Sequence, residues 1–251
     1  MIFYFSATGN SKYVADRAVA VTGERCVSIT ECMRARQFAF SPAEGEAVGI
    51  ISPTYAWGLP GIVGEFLEAV QLGKPAYLWF AATYGTTCGQ IGRLAAELLQ
   101  KKGLTPDARF SVRMPDTWTP IFDLSDKEKV RRTCLAAEPQ IDELIRKVQR
   151  RAAGDFMRGK VPMLAVRLYY PHYAQMRRTS HLTVTDACIG CGLCARSCPS
   201  SAIELRSGKP VWVKEQCVMC LACLHRCPKF AIQYGTKTAG HGQYVHPPYK
   251  G

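Results

Sequence analysis

Two cysteine runs in the last third of the chain constrain its fold more than any other feature. Eight of its twelve cysteines follow one spacing, C-x2-C-x2-C-x3-C and then proline, and the second run starts 29 residues after the first. The first run comprises Cys188, Cys191, Cys194 and Cys198, and the second comprises Cys217, Cys220, Cys223 and Cys227. This spacing binds two [4Fe–4S] clusters, and the fourth cysteine of each run completes the cluster of the other run.

The spacing therefore predicts two crossed ligand sets. One cluster is expected on Cys188, Cys191, Cys194 and Cys227, and the second on Cys217, Cys220, Cys223 and Cys198. The residues after each run also repeat, since CPSSAI at 198–203 corresponds to CPKFAI at 227–232, and such a duplication predicts two halves related by a pseudo-twofold axis. The alternatives are weaker, because zinc sites use four ligands in paired C-x-x-C or mixed Cys/His spacing, and disulfide frameworks belong to short secreted chains.

At every ligand position the two runs resemble those of bacterial two-cluster ferredoxins, over about residues 182–235. The resemblance implies a small α+β domain that transfers electrons one at a time. His225 lies inside the second run and is expected to adjust hydrogen bonding near the iron, because the cysteines already supply the ligands. The other cysteines lack ligand spacing, and most of them are expected to be buried free thiols; they are Cys26, Cys32, Cys88 and Cys134.

Before the cysteine runs, apolar segments of strand length alternate with helical patterns. Strands are predicted at residues 2–5, 25–29, 47–52, 76–82 and 108–114, and helices at 11–21, 61–70, 91–102 and 126–151. The alternation predicts an α/β fold, a doubly wound parallel sheet of five strands with helices on both faces. Such sheets bind ligands at the carboxyl ends of their strands.

A polar loop lies between the first predicted strand and the first helix. It consists of Ser6, Ala7, Thr8, Gly9, Asn10 and Ser11. Its hydroxyls, the Asn10 amide and the N–H groups of a helix N-terminus favour a bound phosphate, and Gly9 lets the backbone turn tightly around it. The loop has no Walker lysine and no cation among its own six residues, so it fits a phosphate monoester better than a triphosphate.

This loop resembles the one with which flavodoxins bind the phosphate of flavin mononucleotide (FMN). The resemblance implies that two further loops contact the flavin ring. After the third strand these residues are Pro53, Thr54, Tyr55, Ala56, Trp57 and Gly58, with Tyr55 or Trp57 against the ring. After the fourth strand, the pyrimidine edge of the ring would be approached by Thr83, Tyr84, Gly85 and Cys88. The alternative for both loops is an aromatic turn and a glycine-rich turn without a ligand.

Together the two halves resemble the EFR-type family of bacterial flavodoxin–ferredoxin fusions. The expected organisation is a flavodoxin-like domain at 1–151, a basic connecting segment at 152–181, a two-cluster ferredoxin domain at 182–235 and a tail at 236–251. The function implied is electron transfer between FMN and two [4Fe–4S] clusters, and to or from a redox partner. An FMN-dependent reductase of a small molecule is the alternative, and a flavodoxin scaffold without FMN is a third. No catalytic residue is identified.

Charge is unevenly divided along the chain. Residues 1–145 carry 15 Lys/Arg against 16 Asp/Glu, whereas residues 146–251 carry 17 against 4, a balance of +13. A surface of one sign attracts partners of the opposite sign, so we expect an acidic redox protein of ferredoxin or flavodoxin type, or an anionic small-molecule substrate. A solvated basic face is the alternative, and no nucleic-acid motif accompanies the charge.

The expected location is the cytoplasm of an anaerobic or otherwise reducing host. The longest apolar segments, such as residues 76–82, are far too short to span a membrane. The first residues enter an apolar strand directly, without the basic segment of an export signal.

Overall fold

The computed structural model describes residues 1–246; the end of the predicted tail, residues 247–251, lies outside the described residues. Within the described chain, the largest sheet has six parallel strands, which are β1 (Ile2–Tyr4), β2 (Cys26–Ser28), β4 (Ala47–Pro53), β6 (Tyr77–Tyr84), β7 (Ala108–Arg113) and β8 (Gly154–Phe156). Their order across the sheet is β2-β1-β4-β6-β7-β8. Two short strands, β3 (Ala39–Phe40) and β5 (Gln71–Leu72), pair separately.

Five helices cover the two faces of this sheet, as the alternating pattern predicts. They are α1 (Asn10–Thr22), α2 (Ile29–Ala35), α3 (Gly61–Ala69), α4 (Ile91–Gln100) and α5 (Lys127–Gln149). One apolar core lies between the sheet and α2, α3 and α4, and a second lies between the sheet and α1 and α5. The predicted α/β doubly wound fold is therefore confirmed.

The sheet has one strand more than predicted. β8 extends it beside β7, where Gly154 pairs with Ala108 and donates its N–H to the carbonyl of Asp107 at 2.8 Å. Three residues with one apolar side chain carry no strand signal, so the edge of β7 determines this conformation and the local sequence does not.

The rest of the described chain is built from short elements. They are α6 (Met163–Tyr169), α7 (His172–Met176), a 3-10 helix (Thr179–His181), β9 (Leu182–Val184), α8 (Leu193–Ser197), β10 (Ile203–Arg206), β11 (Lys209–Trp212), α9 (Ala222–His225), β12 (Ile232–Tyr234) and α10 (Thr238–His241). β9 pairs antiparallel with β12, and β10 with β11. Each cysteine run contains one short helix, α8 or α9, at corresponding positions of the sequence repeat.

None of the helices within residues 1–246 combines the length and apolarity needed to cross a membrane.

We predict that the contact between Gly49 and Trp79 limits what β4 tolerates. A Cβ on Gly49 would lie 2.2 Å from the buried Trp79 ring, and overpacking of this kind costs about 1–3 kcal/mol. Gly49→Ala should therefore lower the denaturant midpoint of the full chain, measured anaerobically. Gly64→Ala is the matched control in α3, where nothing lies within 4 Å of the added methyl. Equal midpoints for the two variants would contradict this packing.

Candidate functional site

A cavity of about 310 Å³ lies at the carboxyl ends of β4, β6 and β7, where open α/β sheets bind ligands. Its volume lies at the lower end of the range for small-molecule pockets. The sheet side of its wall is formed by the three loops that follow these strands, with Asn10 from the loop after β1. Within the described chain, the wall contains no Lys, Arg or His and one carboxylate, that of Asp116.

The loop after β4 is a tight turn that presents aromatic side chains to the cavity. Tyr55 and Gly58 exchange backbone hydrogen bonds of 2.9 and 3.0 Å, and Ala56 and Trp57 between them have positive φ angles of 45° and 68°. Two such residues are typical of a type I′ turn, in which non-glycine residues are strained. The Trp57 ring lies 4.3 Å from that of Tyr169 in α6. Thr54 has a buried Oγ1 that has no hydrogen-bond partner within the described chain.

The loop after β6 approaches the Asp116 side chain closely. A Cβ on Gly85 would lie 2.2 Å from Asp116, so only glycine fits this position. The carboxylate accepts a hydrogen bond from the N–H of Trp118 at 3.1 Å. Desolvation raises the pKa of Asp116, although hydrogen bonds from the backbone of Trp118 and Thr86 oppose this. Asp116 was not among the residues predicted from the sequence, although a carboxylate just after a predicted strand was a usable signal.

The polar loop after β1 is joined to the loops beside it. Gly9 precedes α1 with φ 102° and donates its N–H to Ser6 Oγ at 3.2 Å. Asn10 donates from Nδ2 to the carbonyl of Pro115 at 3.1 Å, and Ser11 Oγ lies 2.8 Å from Thr83 Oγ1. These bonds fix the loop against the cavity.

A cation also lies at this loop, contrary to what the sequence suggested. The Nε of Arg226 donates to the carbonyl of Ala7 at 2.9 Å, across 219 residues. No local pattern could have indicated this contact.

Two of the residues predicted from the loops after β4 and β6 lie away from the cavity wall, as do Ser6, Ala7, Thr8, Gly9 and Ser11 of the loop after β1. The Cys88 side chain is fully buried and its Sγ donates to the carbonyl of Arg158 at 3.0 Å, while burial raises the pKa of this thiol to about 11. Gly58 packs under Tyr170, whose ring a Cβ would meet at 2.5 Å. The other residues predicted from the loops after β4 and β6 line the cavity.

Two smaller cavities in the described chain separate the predicted cysteine sets. One is lined by Cys188, Cys191, Cys194 and Cys227, and the other by Cys198, Cys217, Cys220 and Cys223. Backbone N–H groups of Ala202, Met219 and Ala231 donate to three of the sulfurs at 3.2–3.3 Å. Donors of this kind are found around iron–sulfur clusters, whose potentials they help to set.

Burial disfavours the thiolate forms of Cys220 and Cys223 unless iron replaces their protons. It raises the pKa of Cys220 to about 12 and that of Cys223 well above its ordinary value. Within residues 1–246, no three His, Cys, Asp or Glu side chains converge closely enough to hold a single metal ion. A four-iron cluster is wider than a single ion, so its ligands surround it at a greater spacing than the ligands of one ion do.

Cys220 lines both the cavity at the sheet and the cavity that contains Cys198, Cys217 and Cys223, which we name the inner cysteine cavity. Its neighbours Met219 and Leu221 have positive φ angles of 53° and 55°, whereas Gly190 and Gly192 occupy the corresponding positions of the first run. A non-glycine residue in this conformation costs about 1–2 kcal/mol. The side chains of Met219 and Leu221 are buried in an apolar cluster and form the cavity wall beside Cys220.

The segment between the two halves covers the cavity. Tyr169, Tyr173 and Met176 from α6 and α7 line it. The Tyr173 hydroxyl donates to the carbonyl of Val218 at 2.6 Å, and the Nε of Arg177 donates to the carbonyl of Cys217 at 2.7 Å. This segment therefore packs on the flavodoxin-like half and holds the second cysteine run.

The basic residues that sequence analysis grouped together do not form one patch at the cavity. Arg151 donates to the carbonyl of Gly45 at the amino ends of the strands, Arg158 pairs with Glu143, and Lys160 pairs with Asp155. Arg177 is a structural donor to the second cysteine run.

Two family models match the chain, a flavodoxin domain at residues 1–140 and a 4Fe-4S dicluster domain at residues 182–228. The chain belongs to the flavodoxin domain family. Because a dicluster domain follows the flavodoxin domain, the predicted flavodoxin–ferredoxin fusion is confirmed. The flavodoxin domain implies FMN and the dicluster domain implies [4Fe–4S] chemistry, so the chain is an electron-transfer flavin and iron–sulfur protein.

Three solved structures match the chain at low sequence identity. Rubredoxin oxygen:oxidoreductase from Desulfovibrio gigas is 17% identical over 57% of this chain and 35% of its own, with a TM-score of 0.32. A cysteine-to-serine mutant of flavodoxin from Pseudomonas aeruginosa is 15% identical over 59% and 97%, and a flavone reductase is 11% identical over 85% and 81%, both with TM-scores of 0.33. The chain spans about a third of the first protein. No curated protein matches.

We predict that Gly85→Ala will displace the Asp116 carboxylate and weaken flavin binding. Overpacking by one methyl costs about 1–3 kcal/mol, which corresponds to a loss of roughly tenfold to a hundredfold in affinity. Fluorescence titration of flavin-free protein would measure this, with iron content unchanged. Gly64→Ala is the control, and unaltered flavin affinity in Gly85→Ala would contradict the proximity of the ring to this loop.

Proposed function

We propose that this protein transfers electrons between FMN and two [4Fe–4S] clusters. The cluster bound by Cys188, Cys191, Cys194 and Cys227, which we name the outer cluster, would exchange electrons with a redox partner. The observation that carries the proposal is the position of Cys220, which lines both the cavity of the flavodoxin domain and the inner cysteine cavity. A flavin in the first cavity and a cluster in the second would be separated by little more than this side chain.

The flavodoxin domain offers a cradle for FMN. Its phosphate would bind at residues 6–11, which contain one helix N-terminus and no dinucleotide fingerprint, so FMN fits better than FAD. The ring would lie between the turn that carries Tyr55 and Trp57 and the loop that begins at Thr83. Thr54 Oγ1, which is buried without a partner in the described chain, supports a polar ligand at this position.

The residues around the cavity would have separate roles in this arrangement. FMN, when bound, exchanges electrons in pairs or singly, whereas each cluster carries one. Side chains of α6 and α7 cover one side of the cavity, and Tyr173 and Arg177 hold the second cysteine run against it. Asp116 supplies the one carboxyl group of the described wall that can accept or release a proton.

The two proposed clusters differ in exposure, which suggests an order for electron transfer. The inner cluster would be bound by Cys198, Cys217, Cys220 and Cys223, and the outer one by Cys188, Cys191, Cys194 and Cys227. Cys191 is exposed to solvent, and the adjacent Ile189 side chain is 60% exposed. Electrons would pass from the partner to the outer cluster, then to the inner cluster and the flavin, or in reverse.

A small-molecule reductase is the second candidate, and the cavity itself favours it. A flavin that exchanges electrons directly with an acidic protein would need an open edge near basic residues. The described wall has neither Lys nor Arg, and α6 and α7 roof it. The flavin side is therefore better suited to a small molecule that enters beside Ile121, whose side chain is 63% exposed.

The cluster content tests the first part of the proposal. Anaerobically purified protein should contain about eight irons and eight sulfides per chain. Cys198→Ser should selectively alter the electron paramagnetic resonance signal of the inner cluster, although Cys198 belongs to the first run. Cys26→Ser, which changes a cysteine outside both sets, should leave iron content unchanged. Zinc, or about half the iron in the unaltered protein, would contradict the ligand assignment.

A partner that docks at the outer cluster should respond to charge near it. Lys209 and Lys229 lie on this exposed side, so Lys209→Glu with Lys229→Glu should slow association with an acidic ferredoxin or flavodoxin by about tenfold at low salt and less at high salt. Stopped-flow mixing measures the rate. The matched control, Lys102→Glu with Arg150→Glu, changes the net charge by the same amount just after the C-terminal ends of α4 and α5. Association rates that change neither with salt concentration nor with either pair of substitutions would instead favour the small-molecule reductase.

A further inference from the structure

The chain beyond the second cysteine run returns to the phosphate loop of the flavodoxin domain. After α10, Gly242 turns the backbone with φ 74°, and residues 242–246, which we name the strap, pass over this loop. The backbone N–H of His246 donates to the carbonyl of Thr8 at 2.7 Å, and the Tyr244 hydroxyl donates to Asn10 Oδ1 at 2.8 Å. Residues more than 230 positions apart therefore share one hydrogen-bonded layer.

The strap is also attached to the second cysteine run. Gln243 donates from Nε2 to the carbonyls of Leu224 and Cys227 at 2.6 and 2.8 Å. The backbone N–H of Tyr244 donates to His225 Nδ1 at 3.2 Å, which leaves Nε2 of the same ring to donate to the carbonyl of Thr117 at 2.9 Å. His225 thus connects the strap to a loop of the flavin cavity.

His246 has a buried polar atom without a partner at this place. Its side chain is 5% exposed and its ring stacks on Tyr13 of α1 at 4.2 Å. The Nδ1 atom has no hydrogen-bond partner within the described chain, whereas most buried polar atoms in proteins have one. A ligand at the adjacent loop, which Thr8 joins to the His246 backbone, would supply the missing acceptor.

We propose that the strap completes the phosphate site, so that a phosphate monoester is bound both by the loop after β1 and by the chain that follows the ferredoxin domain. Tyr244 holds the Asn10 side chain in place, and His246 donates an Nδ1–H hydrogen bond to a phosphate oxygen. The inference rests on the proposed function, in which this loop binds FMN. The flavin site is then complete only when the ferredoxin domain and the strap are folded against the flavodoxin domain.

Riboflavin separates the phosphate contribution from the rest, because it is FMN without the phosphate. The experiment uses the full chain with intact clusters and the flavin removed, and measures dissociation constants for FMN and riboflavin by fluorescence. His246→Ala should weaken FMN binding by about tenfold, the magnitude of one hydrogen bond to a charged group, and leave riboflavin affinity unchanged. His246→Gln, which keeps a donor, should recover part of the loss.

Two further variants test whether a loss of affinity comes from the strap contacts or from unfolding. Tyr244→Phe keeps the ring and removes one hydroxyl, so it should also lower the preference for FMN over riboflavin while iron content stays at the wild-type value. Tyr234→Phe, in the same half of the chain but away from the loop, is the control and should change neither affinity.

The possible results separate the proposed function from the inference about the strap. Wild-type protein that cannot bind FMN would overturn the proposed function and this inference with it. Wild-type protein that binds FMN normally, while the strap variants keep its preference for FMN over riboflavin, would overturn the inference alone. Equal losses of FMN and riboflavin affinity would also overturn it, because the strap would then act on the fold and not on the phosphate.

Discussion

The contact on which the rest of the structure depends is the one between the second cysteine run and the flavodoxin cavity. Cys220 lines this cavity as well as the inner cysteine cavity, and each half of the chain contributes bonds that keep it there. Arg34 of α2 donates to the carbonyl of Cys198 at 2.6 Å, and Arg177 donates to that of Cys217 at 2.7 Å. Both bonds hold cysteine segments of the inner set by their backbones, which leaves the sulfurs free for iron.

This contact gives the protein two unlike ends. At one end Cys191 is exposed beside the apolar Ile189, so a cluster there would be accessible from solvent. At the other end the described cavity wall is aromatic, without Lys or Arg, and Asp116 is its one carboxylate. Arg151, Arg158 and Arg177 belong to the basic second half of the sequence, but they have separate structural partners and do not line this cavity.

The sequence predicts what local patterns determine. The five main strands follow from apolar runs, the loop after β1 from hydroxyls and glycine before a helix, and the cysteine sets from spacing. Three features depend on distant contacts and have no local signal. β8 is a strand because β7 offers an edge, Arg226 reaches Ala7 across 219 residues, and Tyr244 reaches Asn10 across 234. Asp116 lies between these cases, since its position after a strand was visible but its contact with Gly85 was not.

Flavin and inner cluster should be neighbours across Cys220, and a crystal structure of the protein loaded with both cofactors would show whether they are. The distance to measure runs from the flavin ring to the nearest atom of each cluster. We expect the ring to fill the cavity at the carboxyl ends of β4, β6 and β7, and the cluster bound by Cys198, Cys217, Cys220 and Cys223 to be the nearer one. A ring outside this cavity, or one nearer to the cluster that includes Cys191, would contradict it.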